Sequence, residues 1–89
     1  MNRQSKQTSG LSGALDYAAQ KAAAAEKRKK ERQIAETEDA ITALEAKQTE
    51  MEQLLSLPEN QTQENFRKYE TIKHQIEQKL YEWQILSEN

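Results

Sequence analysis

There is no cysteine in these 89 residues, which excludes a disulfide framework and any thiolate zinc site. Only helix packing or a partner is left to stabilise so short a chain, and a reducing, cytoplasmic setting is expected. Glycine occurs twice and proline once, too rarely for a turn-rich sandwich or barrel, or for a flexible linker along most of the length. Hydrophobic residues make up 35% and the mean hydropathy is -1.09, too little apolar material for a conventional globule with a buried substrate pocket. No apolar run approaches the roughly 18 to 20 residues of a membrane span, and the opening residues carry no apolar signal core. What remains is Ala, Glu, Gln and Lys, with 31% charged residues, the composition of long exposed helices.

The formal net charge of -2 conceals an asymmetry. Residues 1–32 hold eight cations against three anions, whereas the remainder holds five against twelve. A basic stretch of +5 therefore leads into an acidic body of -7, and the averaged charge says nothing about partners.

Ser5, Ser9, Gly10, Ser12 and Gly13 among polar neighbours make residues 1–14 read as a disordered linker or tail. From Leu15 to Leu57 there is neither Gly nor Pro, and Ala22 to Ala25 form the strongest helix-favouring run. A first helix over about 16–57 follows, with Asp16 as its N-cap. Pro58 ends it by pushing Leu57 out of helical geometry. Asn60 or Thr62 caps a second helix over about 63–86, after a turn at 58–62.

Periodicity predicts the buried faces. Ile34, Ile41, Gln48 and Leu55 recur every seven residues, with Thr37, Leu44 and Met51 between them, as a and d positions of a heptad do. Downstream, Tyr69, Ile76 and Trp83 make one row and Ile72 and Leu86 the other, flanked by Phe66 and Leu80. The two stripes are each about 30 Å long at 1.5 Å per residue. Equal lengths around one Pro-containing turn predict an all-α fold, a two-helix antiparallel coiled-coil hairpin over 15–89. A flexible N-terminal tail and a projecting basic start of helix 1 complete it. Thr37, Gln48 and Lys79 interrupt the seam. Stability is then marginal, and Gln48 penalises other registers, so a monomeric hairpin is expected.

Among chemistry-bearing features, the run Lys27-Arg28-Lys29-Lys30-Glu31-Arg32, preceded by Lys21, is the foremost. On a helix, Lys21, Arg28 and Arg32 fall within roughly 40° of one another, opposite the Ile34/Ile41 seam, and Lys29 widens the row. Such a row matches nucleic-acid phosphates without reading bases. The alternatives are a solvated helix face and a lipid surface, the latter disfavoured by low amphipathicity. Tyr17 sits on the same basic stretch, where an aromatic beside cations suits base stacking. His74 with Glu70 and Glu77 shares one helical face, but no second ligand set exists, so a metal is not expected. With no cysteine nucleophile, Gly-rich phosphate loop or pocket for paired carboxylates, no enzyme site is expected within these residues.

Several segments together add a resemblance. Leu15-Asp16-Tyr17 with Gln20-Lys21, the basic run through Ile34, Ile41-Thr42-Ala43-Leu44-Glu45, Leu54-Leu55 before the break, and the terminal Leu80-Tyr81-Glu82-Trp83-Gln84-Ile85-Leu86 resemble the C-terminal coiled-coil domain of ABC-F ATPases. The resemblance runs from about Leu15 to the end, and the terminal Leu-Tyr-x-Trp-x-x-Leu is its most specific part. It implies a fragment of a longer cytoplasmic protein that acts on the ribosome in translation. In that parent, ATP and Mg²⁺ bind to cassettes elsewhere, no cofactor binds here, and there is no membrane domain. Residues 1–14 become the linker from the second cassette. The resemblance also implies contact with DNA or ribosomal RNA, with Lys21, Lys27, Arg28, Lys29, Lys30 and Arg32 as phosphate contacts. The competing function is a spacer or protein-interaction coiled coil that docks on the ATPase core or a ribosomal protein.

Overall fold

The computed structural model describes the backbone of residues 2–88 and the side chains of residues 13–88. Its elements are a long helix α1 (Asn2–Leu55), a single 3₁₀ turn (Pro58–Asn60) and a second helix α2 (Gln63–Glu88). They divide into two compact units, Met1–Glu31 and Arg32–Asn89.

In the first unit the backbone is helical from Asn2 onward. The segment 1–14, expected as a linker, thus lies largely within α1, and Asp16, expected as a cap, is interior to it. Gly10 and Gly13 are each worth only about 1 kcal/mol against helix relative to Ala. With no Pro among them, they do not end a helix that the alanine run Ala22–Ala25 favours so strongly.

The second unit is the antiparallel helical hairpin that the heptads predict. On α1 the residues withdrawn from solvent include Ile34, Thr37, Ile41, Leu44, Gln48, Met51 and Leu55, in the alternating steps of three and four of a coiled-coil seam. On α2 they include Asn65, Tyr69, Ile72, Ile76, Lys79 and Leu86. The polar residues expected to interrupt the seam are therefore part of it. Thr37 is 8% exposed, with Ile41 and Ile76 at 9% each, and among the described residues no side chain is fully enclosed. Two helices have only one groove between them, so even the central positions keep an open flank. Thr37 satisfies its buried hydroxyl by donating to the Gln33 carbonyl at 2.8 Å.

Phe66 and Leu80, expected as flanks of the seam, lie on its open side, 46% and 47% exposed. Each lies one residue beyond a seam position, Asn65 and Lys79, about 100° around the helix. That rotation carries them out of the groove.

Two cross-helix hydrogen bonds join the helices. The Trp83 indole Nε1–H donates to Glu38 Oε2 at 3.3 Å, and the Tyr69 hydroxyl donates to Glu52 Oε2 at 2.9 Å. On each helix the two bonded positions are 14 residues apart, two heptads or about 21 Å. One antiparallel alignment therefore holds from the turn to the far end. Trp83, expected to pack on Ile34 and Thr37, is still 37% exposed, because its indole edge faces the Glu38 carboxylate on the flank of the seam.

The turn closes without glycine. α1 ends two residues before Leu57, as Ser56 and Leu57 turn their amides to the carbonyls of Gln53 and Leu54 at 3.2 and 3.3 Å. Leu57 is extended, with φ -96° and ψ 128°, as the following Pro requires. The Gln61 side chain donates to the Leu55 carbonyl at 3.0 Å, a partner for one of the acceptors that every helix end leaves open. Of the two candidate caps for α2, Thr62 serves: its hydroxyl accepts the Asn65 amide at 3.2 Å. Asn60 contributes its carbonyl instead, accepting the Thr62 amide at 2.9 Å and the Asn65 side-chain amide at 2.8 Å.

Candidate nucleic-acid interface

The sequence-predicted site residues are distributed over the two units. Tyr17, Lys21, Lys27, Arg28, Lys29 and Lys30 belong to the first. From Gly13 to Lys29 every residue is exposed, and Lys30 is half-buried. Tyr17 is 67% exposed.

Helical phase sorts these side chains. At 3.6 residues per turn, Tyr17, Lys21 and Arg28 fall within about 40° of arc, and Lys29 lies roughly 80° to one side of Lys21. Lys27 and Lys30 point to other faces and do not join the row. Between and beside them this face carries Gly13, Ala14, Ala18, Ala24 and Ala25. Glu26 lies on the far side of the helix and Asp16 about 100° from Tyr17, whereas Glu31, one turn after Arg28, lies about 40° from Tyr17 at the end of the row.

Arg32 opens the second unit and is exposed there. Within α2 ion pairs join Lys68 with Glu64 at 3.4 Å, Lys73 with Glu70 at 3.6 Å, His74 with Glu77 at 3.7 Å and Lys79 with Glu82 at 3.1 Å. None engages Lys21, Lys27, Arg28, Lys29 or Arg32. The charge difference is equally sharp by sequence. Residues 1–31 hold seven cations and three anions, and residues 32–89 hold six cations and twelve anions.

The hairpin carries polar contacts that sequence reasoning missed. Glu38 and Glu52 receive the aromatic donors, and Lys73 places its ammonium 5.2 Å from the centre of the Tyr69 ring. Their signal in the sequence is the heptad recurrence Glu38-Glu45-Glu52 beside the seam, the position from which long side chains reach a neighbouring helix. The hydrogen bond to Glu52 is the main cause that holds the Tyr69 hydroxyl above the ordinary tyrosine value of 10.0. Desolvation and the Glu52 charge add to it, whereas a Gln48 hydrogen bond and Lys73 oppose it. The Glu70, His74 and Glu77 trio is split, because Glu70 turns to Lys73 and only Glu77 meets the imidazole. Among the described residues no group of His, Asp and Glu is arranged to hold a metal ion, and no helix is long and apolar enough to cross a membrane.

Beside the seam run open grooves rather than enclosed cavities. One, about 460 Å³, is bounded by Gln33, Thr37, Lys79 and Leu86. No family model matches the chain, and no curated protein or solved structure matches it.

Proposed function

We propose that the helix of the first unit is a nucleic-acid-binding element that engages phosphates through Lys21, Arg28 and Lys29, with Lys27 and Lys30 adding to the local positive potential. The observation that carries this reading is that Lys21, Arg28 and Lys29 are exposed and engage none of the ion pairs, with Lys21 and Arg28 on an alanine-rich face. A cation neutralised by a neighbouring Glu gains little from a phosphate, whereas an unpaired one releases condensed counterions when it binds. Alanine methyls let the polyanion approach closely. The hairpin, at -6 by sequence, repels a polyanion and restricts contact to the basic helix.

The same proposal places the chain as the C-terminal coiled-coil arm of an ABC-F ATPase that works on the ribosome in the cytoplasm, with ATP and Mg²⁺ handled by cassettes in the rest of that parent. Its support is the Leu80-Tyr81-x-Trp83-x-x-Leu86 ending together with the order of the basic and heptad segments. DNA and ribosomal RNA are both candidate targets.

The test is a charge reversal. Lys21→Glu, Arg28→Glu and Lys29→Glu combined should abolish binding to labelled single-stranded and duplex oligonucleotides at moderate salt, while the melting of the hairpin stays nearly unchanged. For the native chain, three to four phosphate contacts imply a log K against log salt slope of roughly -2 to -4. Equal affinities for native and reversed forms would sink the phosphate reading. They would favour instead a protein-interaction coiled coil, for which Phe66 and Leu80 are among the exposed apolar side chains of the hairpin.

A further inference from the structure

We infer that Tyr17 is a base-stacking residue that makes the basic helix select single-stranded over duplex nucleic acid, an inference that rests on the phosphate-binding reading of the same helix.

Tyr17 is 67% exposed on a helix whose neighbouring face residues are alanines, so the ring packs on nothing that explains it. Its phenol has no hydrogen-bond partner among the described residues. One turn before it stands Gly13, where an added methyl would meet nothing within 4 Å, and Ala14 beside it carries only a methyl. One turn after it stands Lys21, and Arg28 follows about 10 Å further along the same face. The row is thus aromatic, cation, alanine gap, cation. Between Tyr17 and Arg28 this face carries no carboxylate, and Glu31 follows only one turn beyond Arg28.

A flat ring with open approach and flanking cations offers two interactions at once. Lys21 and Arg28 hold the backbone, and the ring takes the face of a base. The two substrates answer differently. A single strand presents unstacked base faces at no cost. A duplex keeps its bases stacked on each other, and opening a step costs a few kcal/mol, comparable to what one ring returns. Phosphate contact alone makes no such distinction. Stacking needs only a π-face, so the preference is for strandedness and not for sequence, and it serves RNA and DNA alike.

The experiment measures anisotropy of labelled single strands of RNA and of DNA, about 15 nucleotides long, within the span of small single-strand sites. The corresponding duplexes are measured at the same salt, with the complete 89-residue chain. Tyr17→Ala should weaken binding to both single strands about 5- to 150-fold and leave duplex binding within about twofold. Tyr17→Phe, which keeps the ring, should bind single strands within about twofold of the native chain. Loss of fold cannot imitate the result, because alanine is the better helix former. Unchanged single-strand affinity in Tyr17→Ala, or an equal loss on single strands and duplexes, overturns the inference and leaves the phosphate reading intact. A native chain that binds neither form overturns both. An effect on RNA alone overturns the stacking account, since a ring does not sense the 2′-hydroxyl.

Discussion

Tyr69 and Trp83 each join a seam position to a flanking glutamate, yet they respond to different perturbations. The Tyr69 hydroxyl donates to Glu52 only while protonated, and its titration lies above the ordinary value of 10.0. A group that binds its proton more tightly in the folded state contributes stability that is fully present below its unfolded pKa. That contribution is lost as pH rises through the folded one. The native hairpin should therefore lose stability relative to Tyr69→Phe above about pH 10, and the two should run parallel below it. Denaturant melts of both proteins across that interval provide the difference, with lysine titration common to both. Trp83→Ala should cost about 1–3 kcal/mol, less than the 3–5 of an enclosed aromatic, because the ring is already 37% exposed. It should nevertheless exceed the cost of Phe66→Ala, whose ring lies outside the seam. Thermal melts of the two variants in parallel decide the order, and an unchanged melt for Trp83→Ala would mean the ring adds nothing to the hairpin.

At the level of the elements, the start of α2 is closed by a side chain that the sequence offered among alternatives. Thr62 and Asn60 both have the chemistry of a cap, and the choice falls to Thr62 because Pro58 and the 3₁₀ turn commit the Asn60 carbonyl to Thr62 and Asn65. Thr62→Ala should destabilise α2 by about 0.5–2 kcal/mol and Thr62→Ser should restore most of it, as measured by chemical denaturation. Asn60→Ala should cost less, since only its backbone bonds are used. The seam was legible because a heptad needs only residue type and spacing, and Ile34 through Leu55 satisfy both. Two features were not legible. Phe66 looked like a seam residue by hydrophobicity, but the Thr62 cap sets the helical phase so that Asn65 takes the groove. The start of α1 was set too late because Gly10 and Gly13 suggested a break that their modest helix penalty does not enforce.

Over the whole molecule, charge and hydrophobicity are segregated rather than mixed. The heptad stripe lies in the acidic unit and the densest run of cations lies in the basic one. The partition was readable directly, since counting charges needs no structure. The exposure of Tyr17 beside Gly13 was not, because it depends on what surrounds each position. With both stripes satisfied by each other across one turn, the chain should sediment as a monomer at micromolar concentration. A stable dimer with Ile34 cross-linked to Ile34 of a second copy would contradict the intramolecular hairpin. The glutamates that clasp Trp83 and Tyr69 bear on the same question. Glu38, Glu45 and Glu52 repeat with the period of the coil itself, so the ladder behaves like a ruler with identical marks. A slide of one heptad would set Trp83 against Glu45 and meet the same chemistry. The clasps therefore secure the distance between the helices without choosing their alignment, and the choice is left to the short tether at Pro58, which has no seven residues of slack to give.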